Sequence, residues 1–140
     1  MKKRSIRFLA VVLVIGLMAM LSCSAAAVSE GTTVEPRYVS ISFLSADLSI
    51  ATSGFASSTC KVRLSNLSNI AVVTMDLQRE ETSGWRTIAS WSESANYVAM
   101  NKGYYVLPNY NYRVLVSVTV YDNNGGVVET QSKASLTQVF

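Results

Sequence analysis

Apolar and polar residues alternate along most of the chain after residue 38, and this alternation predicts β-strands. The clearest example runs from Tyr112 to Tyr121, where every second residue up to Val120 is a tyrosine or valine and mostly polar residues lie between them. A period of two residues is typical of a strand with one buried face. No part of this region has the 3.6-residue period of an amphipathic helix.

Turn signals divide the alternating region into seven short segments, each of strand length. The predicted strands cover residues 38–50, 56–64, 73–77, 85–91, 97–106, 112–121 and 127–132. A change of phase between Phe43 and Leu44 predicts either a bulge in the first strand or a strand that changes sheets. The polar run at 101–103 predicts an interruption of the fifth. Seven strands within about 100 residues predict an immunoglobulin-like sandwich.

The entry to the sixth strand resembles a known family. Val106-x-Pro108-x-Tyr110-x-Tyr112, followed by alternating valines, is similar to the corresponding segment of fibronectin type III domains. The resemblance implies that Tyr112 forms a tyrosine corner, with its hydroxyl bonded to backbone upstream. The predicted fold class is therefore all-β: a seven-stranded, immunoglobulin-like (fibronectin type III-like) antiparallel sandwich after an N-terminal signal helix.

The N-terminal residues have the layout of a secretion signal. Four basic residues lie within Met1–Arg7, an uncharged apolar run extends from Phe8 to Leu21, and small residues continue to Ala27. The apolar run is shorter than the ~20 residues that a membrane-spanning helix needs. The sequence thus predicts a signal peptide over residues 1–27 with cleavage after Ala27, a flexible leader over 28–37, and a folded domain over 38–140.

Cys23 leaves a second processing route open. Met20-Leu21-Ser22-Cys23 resembles the lipobox of bacterial lipoproteins, in which the cysteine is acylated and becomes the new N-terminus. That resemblance implies a membrane-tethered lipoprotein, whereas cleavage after Ala27 predicts a secreted, extracellular protein. Membrane insertion after signal removal is expected only if Cys23 is lipidated.

The signal accounts for the positive net charge of the whole chain. The sequence has 12 basic and 9 acidic residues, for a formal net charge of +3. Four of the basic residues lie in the signal, which leaves 8 basic against 9 acidic residues from residue 28 onward. Binding to nucleic acid depends on clustered lysine and arginine. A nucleic-acid partner is therefore not expected.

The residue types that catalysis needs are sparse, so the sequence predicts a protein that is not an enzyme and holds no cofactor or metal. The chain has no histidine, which excludes Ser-His-Asp and Cys-His machinery and the commonest zinc sites. Cys60 is in phase with Val62 and Leu64, which indicates a buried thiol. Two alternatives are weaker. A hydrolase would use a pair of acids, but solvated side chains explain these residues as well. A turn could bind calcium, but its residues are equally those of a tight hairpin. The acids are Asp76, Glu80, Glu81, Glu93 and Asp122, and the turn is Asp122-Asn123-Asn124-Gly125.

Aromatic residues are the candidates for ligand contact. Trp85 and Trp91 share one phase of the predicted fourth strand, and Tyr97, Tyr104 and Tyr105 follow. An exposed row of such rings on a β-sandwich stacks on sugars in carbohydrate-binding modules, which makes these five residues a possible ligand-stacking set. The alternative interpretation is that both tryptophans cap the ends of the core.

The chain as a whole resembles a group of small exported proteins of Gram-positive bacteria whose function is unknown. The resemblance is carried by Val34-Glu35-Pro36-Arg37-Tyr38, the segment Gly84–Trp91, and the hairpin Tyr121–Thr130. It implies an extracellular β-sandwich. The function predicted is a secreted, non-catalytic module that binds a protein or glycan at a surface. The alternatives are a carbohydrate-binding module and a membrane-tethered lipoprotein.

Overall fold

The computed structural model describes residues 39–140, which form two antiparallel β-sheets and contain no helix. The strands are β1 (Ile41–Ile50), β2 (Phe55–Leu64), β3 (Ile70–Glu81), β4 (Gly84–Ala95), β5 (Tyr97–Tyr105), β6 (Asn111–Tyr121), β7 (Val127–Ala134) and β8 (Gln138–Val139). The predicted signal, its Cys23 and Ala27, and the leader over 28–37 lie outside the described residues. Across the described range, no helix has the length and hydropathy needed to cross a membrane.

The two sheets have the strand order of an immunoglobulin-like sandwich of the fibronectin type III kind. The first sheet has the order β1-β2-β5, and the second has the order β4-β3-β6-β7, with β8 also paired to β6. The chain crosses between sheets after β2, after β4 and after β5. The predicted fold class is confirmed for this part of the chain, with a short eighth strand added.

The core lies between the two sheets and is built from the predicted alternation. In β6 the residues at every second position from Tyr112 to Val120 are buried, and β2 and β3 bury Cys60, Val62, Val73 and their neighbours in the same way. Each fully buried aliphatic side chain contributes about 1.5–3 kcal/mol through removal of its apolar surface from water. The period of two therefore selects which face of each strand is buried.

The predicted bulge in β1 is confirmed, and it turns Phe43 outward. The pairing with β2 shifts register between Ile41 and Phe43, and the Ser42 hydroxyl donates a hydrogen bond to the Arg63 carbonyl oxygen at 3.0 Å. A bulge inserts one residue and reverses the facing of those that follow. Ile41 and Leu44 consequently both point into the core, while Phe43 is 51% exposed.

The predicted interruption of β5 is wrong, because Phe55 on β2 covers Gly103. A Cβ atom at Gly103 would lie 2.2 Å from the Phe55 ring, so the ring occupies the space above the glycine. Strand β5 pairs with β2 without a break from Tyr97 to Tyr105. An aromatic ring laid over a strand glycine replaces the missing side-chain packing.

The tyrosine corner implied for Tyr112 is confirmed. The Tyr112 hydroxyl donates to the Leu107 carbonyl oxygen at 2.7 Å and accepts from the Leu107 N–H at 3.1 Å. The residue is 1% exposed, and its burial raises the pKa of the phenol. The corner attaches the loop between β5 and β6 to the start of β6.

Two charged side chains of β7 join the sheets along the β1 edge. The Glu129 carboxylate is buried and accepts hydrogen bonds from the N–H groups of Val39 and Ser40, the latter at 2.6 Å. Lys133 donates to the Leu44 carbonyl oxygen at 3.1 Å. Residues ninety positions apart in the chain are thus held together where the domain begins.

The edge strands β4 and β5 each carry a charge on the face turned toward the core. Glu93 lies opposite the buried Val73, and Lys102 lies opposite the buried Ser58. A strand that added to either edge would have to desolvate these charges. The sandwich is therefore protected against edge-to-edge pairing at both of these strands.

Candidate functional site

Trp85 and Trp91 do not form a row, because β4 contains a bulge between them. The pairing of β3 with β4 shifts register at Leu77/Gln78, so that Ala89 lies opposite Leu77 and Thr87 lies opposite Gln78. Ile88 is the extra residue, and it packs with Ala89 against the core. The prediction that the two tryptophans share a phase is therefore wrong: the bulge reverses the facing of every residue on one side of it.

The two indoles have different roles in the packing. Trp91 lies opposite the buried Met75 and packs against the core. Trp85 lies on the outer face of the second sheet, where the Arg113 guanidinium stacks on its ring at 4.2 Å from the centroid. Arg113 also donates from Nε to Gln78 at 2.9 Å. The indole of Trp85 is consequently already covered by a cation on one face.

The three tyrosines predicted for ligand contact lie at the two ends of β5. Tyr97, at the start of the strand, faces outward and is 54% exposed. Tyr105, at the other end, also faces outward, and its ring meets Phe55 edge-on at 5.2 Å. Tyr104 lies opposite the buried Ala56, with its side chain at the margin of the sandwich. Their role in ligand contact stays a prediction.

The outer face of the first sheet places exposed rings at both of its ends, and we call it the aromatic-rimmed face. At one end the pairing aligns Phe43, Arg63 and Tyr97 across the three strands. At the other end Phe55 pairs with Tyr105. The two rims are separated by eight residues of β2, or about 26 Å at ~3.3 Å per residue. Within each rim, neighbouring side chains lie within contact range.

A shallow cavity lies at the Phe43 rim. Its volume is about 620 Å³, and its lining includes Phe43 and Tyr97, with Lys61 and Arg63 from β2 between them. Among residues 39–140 neither cation forms an ion pair, whereas Arg79 and Arg86 both pair with Glu81. The cavity thus combines two exposed rings with two cations.

Small and polar side chains form the surface between the rims. Three successive rows across the strands contain Ser45, Lys61 and Ala99, then Asp47, Thr59 and Asn101, then Ser49, Ser57 and Gly103. The Ser57 hydroxyl donates to Asn101 at 3.2 Å. Side chains of this size leave a trough between the taller aromatic rims, lined by hydroxyl and amide groups.

Glu80 and Glu81, two of the five acidic residues proposed for a hydrolase, line one cavity of about 370 Å³. The other three are not part of its lining. Asp76 accepts a hydrogen bond from the Ser90 hydroxyl at 2.5 Å, and Glu80 accepts one from Asn111 at 2.7 Å. The hydrogen bond from Arg79 lowers the pKa of Glu81, which disfavours a role as a general acid. These acids are all engaged by neighbours on the second sheet.

The two remaining acids lie apart from this group. Glu93 is at the β4 edge, and Asp122 lies in the β6–β7 turn. There, Asp122 accepts hydrogen bonds from the N–H groups of Asn124 and Gly126, and Gly125 has a φ of 80°. The turn that calcium was considered for is a hairpin closed by its own aspartate, the structure that the same residues favour in the sequence. Within the part of the chain that the structure describes, no three His, Cys, Asp or Glu side chains are grouped to hold a metal ion.

Cys60 is buried as predicted, and its burial raises the pKa of the thiol. Because the thiolate is the nucleophile, both the raised pKa and the lack of access slow its reaction. In protein that starts at Val28, we expect no labelling of native Cys60 by a thiol reagent on the timescale that labels the denatured chain completely. Mass spectrometry of the labelled protein measures this, with Cys60→Ser as the blank. Stoichiometric labelling of the native protein would show that the thiol is accessible and reactive.

Comparison with known proteins adds no family to this fold. No protein-family model matches the chain, and no curated protein matches it either. The class of protein is therefore defined by the fold itself, an immunoglobulin-like β-sandwich.

Proposed function

We propose that the protein is a secreted, non-catalytic binding domain whose ligand contacts the aromatic-rimmed face of the first sheet. The observation that carries the proposal is the row of Phe43, Arg63 and Tyr97, in which two half-exposed rings flank a cation directly across three strands. Exposed aromatic and arginine side chains together are typical of recognition surfaces. Only two of the five candidate acids line a common cavity, and one of these, Glu81, is held by Arg79 with its pKa lowered, which supports binding over hydrolysis.

The proposed location depends on the N-terminal sequence. The basic, apolar and small-residue segments up to Ala27 support export and release into the extracellular space. The lipobox-like segment that ends at Cys23 supports tethering to a membrane as the alternative. The resemblance to exported Gram-positive proteins supports such a bacterium as the source. Mass spectrometry of the mature N-terminus separates the two routes: a start at Val28 means release, and an acylated Cys23 means tethering.

Sedimentation with cell envelopes tests the binding function. Mature protein is mixed with washed envelopes of a Gram-positive bacterium, and the fraction that pellets is measured against protein concentration. We expect the wild-type protein to pellet and the double variant Phe43→Ala, Tyr97→Ala to bind at least about tenfold more weakly, since each truncation removes a contact ring.

Trp85→Ala is the matched control, because it removes a ring from the outer face of the other sheet. Its pelleting should equal that of the wild type. Loss of pelleting in the Trp85 variant alone would move the binding face to the second sheet, and failure of the wild-type protein to pellet would contradict a role at the envelope.

A further inference from the structure

We infer that the ligand of the aromatic-rimmed face is a linear polysaccharide that carries carboxylate groups, of the uronic-acid type. The inference rests on the proposed function and adds the chemical class of the ligand. Three features of the face carry it: two cations that form no ion pair within residues 39–140, rings on either side of Arg63, and a polar trough that leads away from them.

The two cations of this face, Lys61 and Arg63, favour an anionic ligand. Lys61 and Arg63 alternate with the buried Val62 and Leu64 on β2, so both side chains point out of the same face. Both line the 620 Å³ cavity. The planar fork of a guanidinium matches the two oxygens of a carboxylate, and the flexible ammonium of lysine reaches a second charge nearby. Asp47 lies four residues beyond Phe43 on β1 and two beyond Ser45, the partner of Lys61, so that its charge disfavours an anion there and favours one at the Phe43 rim.

The rings favour a sugar as the group that carries the charge. Phe43 and Tyr97 are separated by two strand spacings, or about 10 Å between backbones. A pyranose ring between them would present its C–H face to an aromatic ring and its carboxylate to Arg63. The edge-to-face pair of Phe55 and Tyr105 supplies a second aromatic surface at the far end.

The trough favours an extended, hydroxyl-rich chain over an acidic peptide. The rows between the two rims contain the hydroxyl and amide groups of Ser45, Thr59 and Asn101, which match the many hydroxyls of a polysaccharide. Lys61 and Asp47 are the charged side chains of these rows. A peptide that bound as an added strand would need a free sheet edge. At the β5 edge, an added strand would have to desolvate the inward-facing Lys102. At the β1 edge, the Leu44 carbonyl oxygen already accepts a hydrogen bond from Lys133.

Three polymers separate these chemistries by isothermal titration of the mature protein. Polygalacturonate carries a carboxylate on every sugar, its methyl ester has the same backbone without the charge, and polyglutamate has the charge without the sugar. We expect polygalacturonate to bind, with an affinity that falls as salt is added. The ester and polyglutamate should each bind at least about tenfold more weakly, the factor that a lost charge-assisted hydrogen bond produces.

Variants locate the binding on the face. Arg63→Gln and Tyr97→Ala should each weaken polygalacturonate binding about tenfold or more. Arg86→Gln is the matched control, since it removes the same charge from an exposed position on β4, and its affinity should be unchanged.

The outcomes distinguish the ligand class from the proposed function. Equal binding of the acid and the ester, or tighter binding of polyglutamate, overturns the polyuronate ligand and leaves the binding face in place. The polyuronate ligand is also overturned, with the binding face left in place, if none of the three polymers binds while envelopes still pellet the protein through Phe43 and Tyr97. If the envelopes also fail to pellet the protein, the proposed function itself is overturned.

Discussion

Replacing Tyr112 by phenylalanine is expected to lower the free energy of unfolding by about 1–3 kcal/mol, the cost of leaving buried polar groups without partners. The hydroxyl makes two hydrogen bonds with the backbone of Leu107, at 2.7 and 3.1 Å, in a side chain that is 1% exposed. Phenylalanine keeps the ring in the core and removes only these bonds. The substitution therefore measures the tyrosine corner alone.

Chemical denaturation gives the free energy, and thermal denaturation should show a fall in Tm of about 4–8 °C for each kcal/mol. Tyr110→Phe is the matched control. It also removes one tyrosine hydroxyl, but from a side chain two residues before Tyr112 that is 39% exposed. Its stability should stay within about 0.5 kcal/mol of the wild type. Equal stability of the Tyr112 and Tyr110 variants would mean that the corner adds nothing.

The same hydroxyl gives the stability a dependence on alkaline pH. Burial raises the pKa of Tyr112 above its ordinary value of 10.0, so the unfolded chain releases this proton at a lower pH than the folded chain. The stability that Tyr112 provides is present below pH ~10 and is lost as the pH rises further. The Tyr112→Phe variant should consequently lose less stability than the wild type above that pH.

Glu129→Ala is expected to lower the free energy of unfolding by about 2 kcal/mol, because a charged acceptor is removed from backbone donors. The carboxylate accepts hydrogen bonds from the N–H groups of Val39 and Ser40, and Ser40 is buried. Without it, the N–H groups of Val39 and Ser40 lose the acceptor that β7 provides. Glu129→Gln keeps one oxygen in place and should fall between the wild type and the alanine variant.

Hydrogen exchange locates the effect of these substitutions. The amides of Val39 and Ser40 should exchange much faster in Glu129→Ala, while amides in the middle of β6 keep protection set by global unfolding. Thr130→Ala, which alters the exposed neighbour on the same strand, is the control and should leave both groups unchanged. Unaltered exchange at Ser40 in the Glu129 variant would mean that the carboxylate does not hold this segment.

The inward faces of the strands were predictable because burial follows a period of two. The valines of β6 and the series that contains Cys60 in β2 alternate without interruption, so one face is selected by its apolar surface. The corner at Tyr112 was predictable for another reason, since the spacing of Pro108 and Tyr112 resembles that of fibronectin type III domains, and the resemblance implies the corner. Both predictions depend on residues that are close in sequence.

Two features that sequence reasoning missed depend on contacts between distant segments. Gly103 reads as a break until Phe55, nearly fifty residues earlier, is placed over it. Glu129 was not singled out in the sequence, and the backbone that its carboxylate binds lies about ninety residues away. Strand β8 has two residues, too few for any period. None of these carries a local signal.

The candidate site likewise contains residues that the sequence indicated and residues whose place depends on strand pairing. Tyr97 was found from the sequence because an exposed tyrosine near a strand end is itself a signal. Phe43 and Arg63 were not, since their places beside Tyr97 depend on the register of β1 and β5 against β2. The tryptophan pair was predicted wrongly because Ile88 and Ala89 are both apolar, which hides the bulge from a pattern that records only alternation.

The bulge at Ile88 has a consequence for how this domain could diverge. Loss of that single codon would restore simple alternation in β4 and leave every existing pair between β3 and β4 in place, since Ile88 has no partner on β3. Trp85 would stay opposite Glu80 on the outer face, and the core would lose only the packing of Ile88. A one-residue change of length in this edge strand is thus a short evolutionary route by which relatives of this chain could alter core packing while both tryptophans keep their facing and the other seven strands keep their sequence.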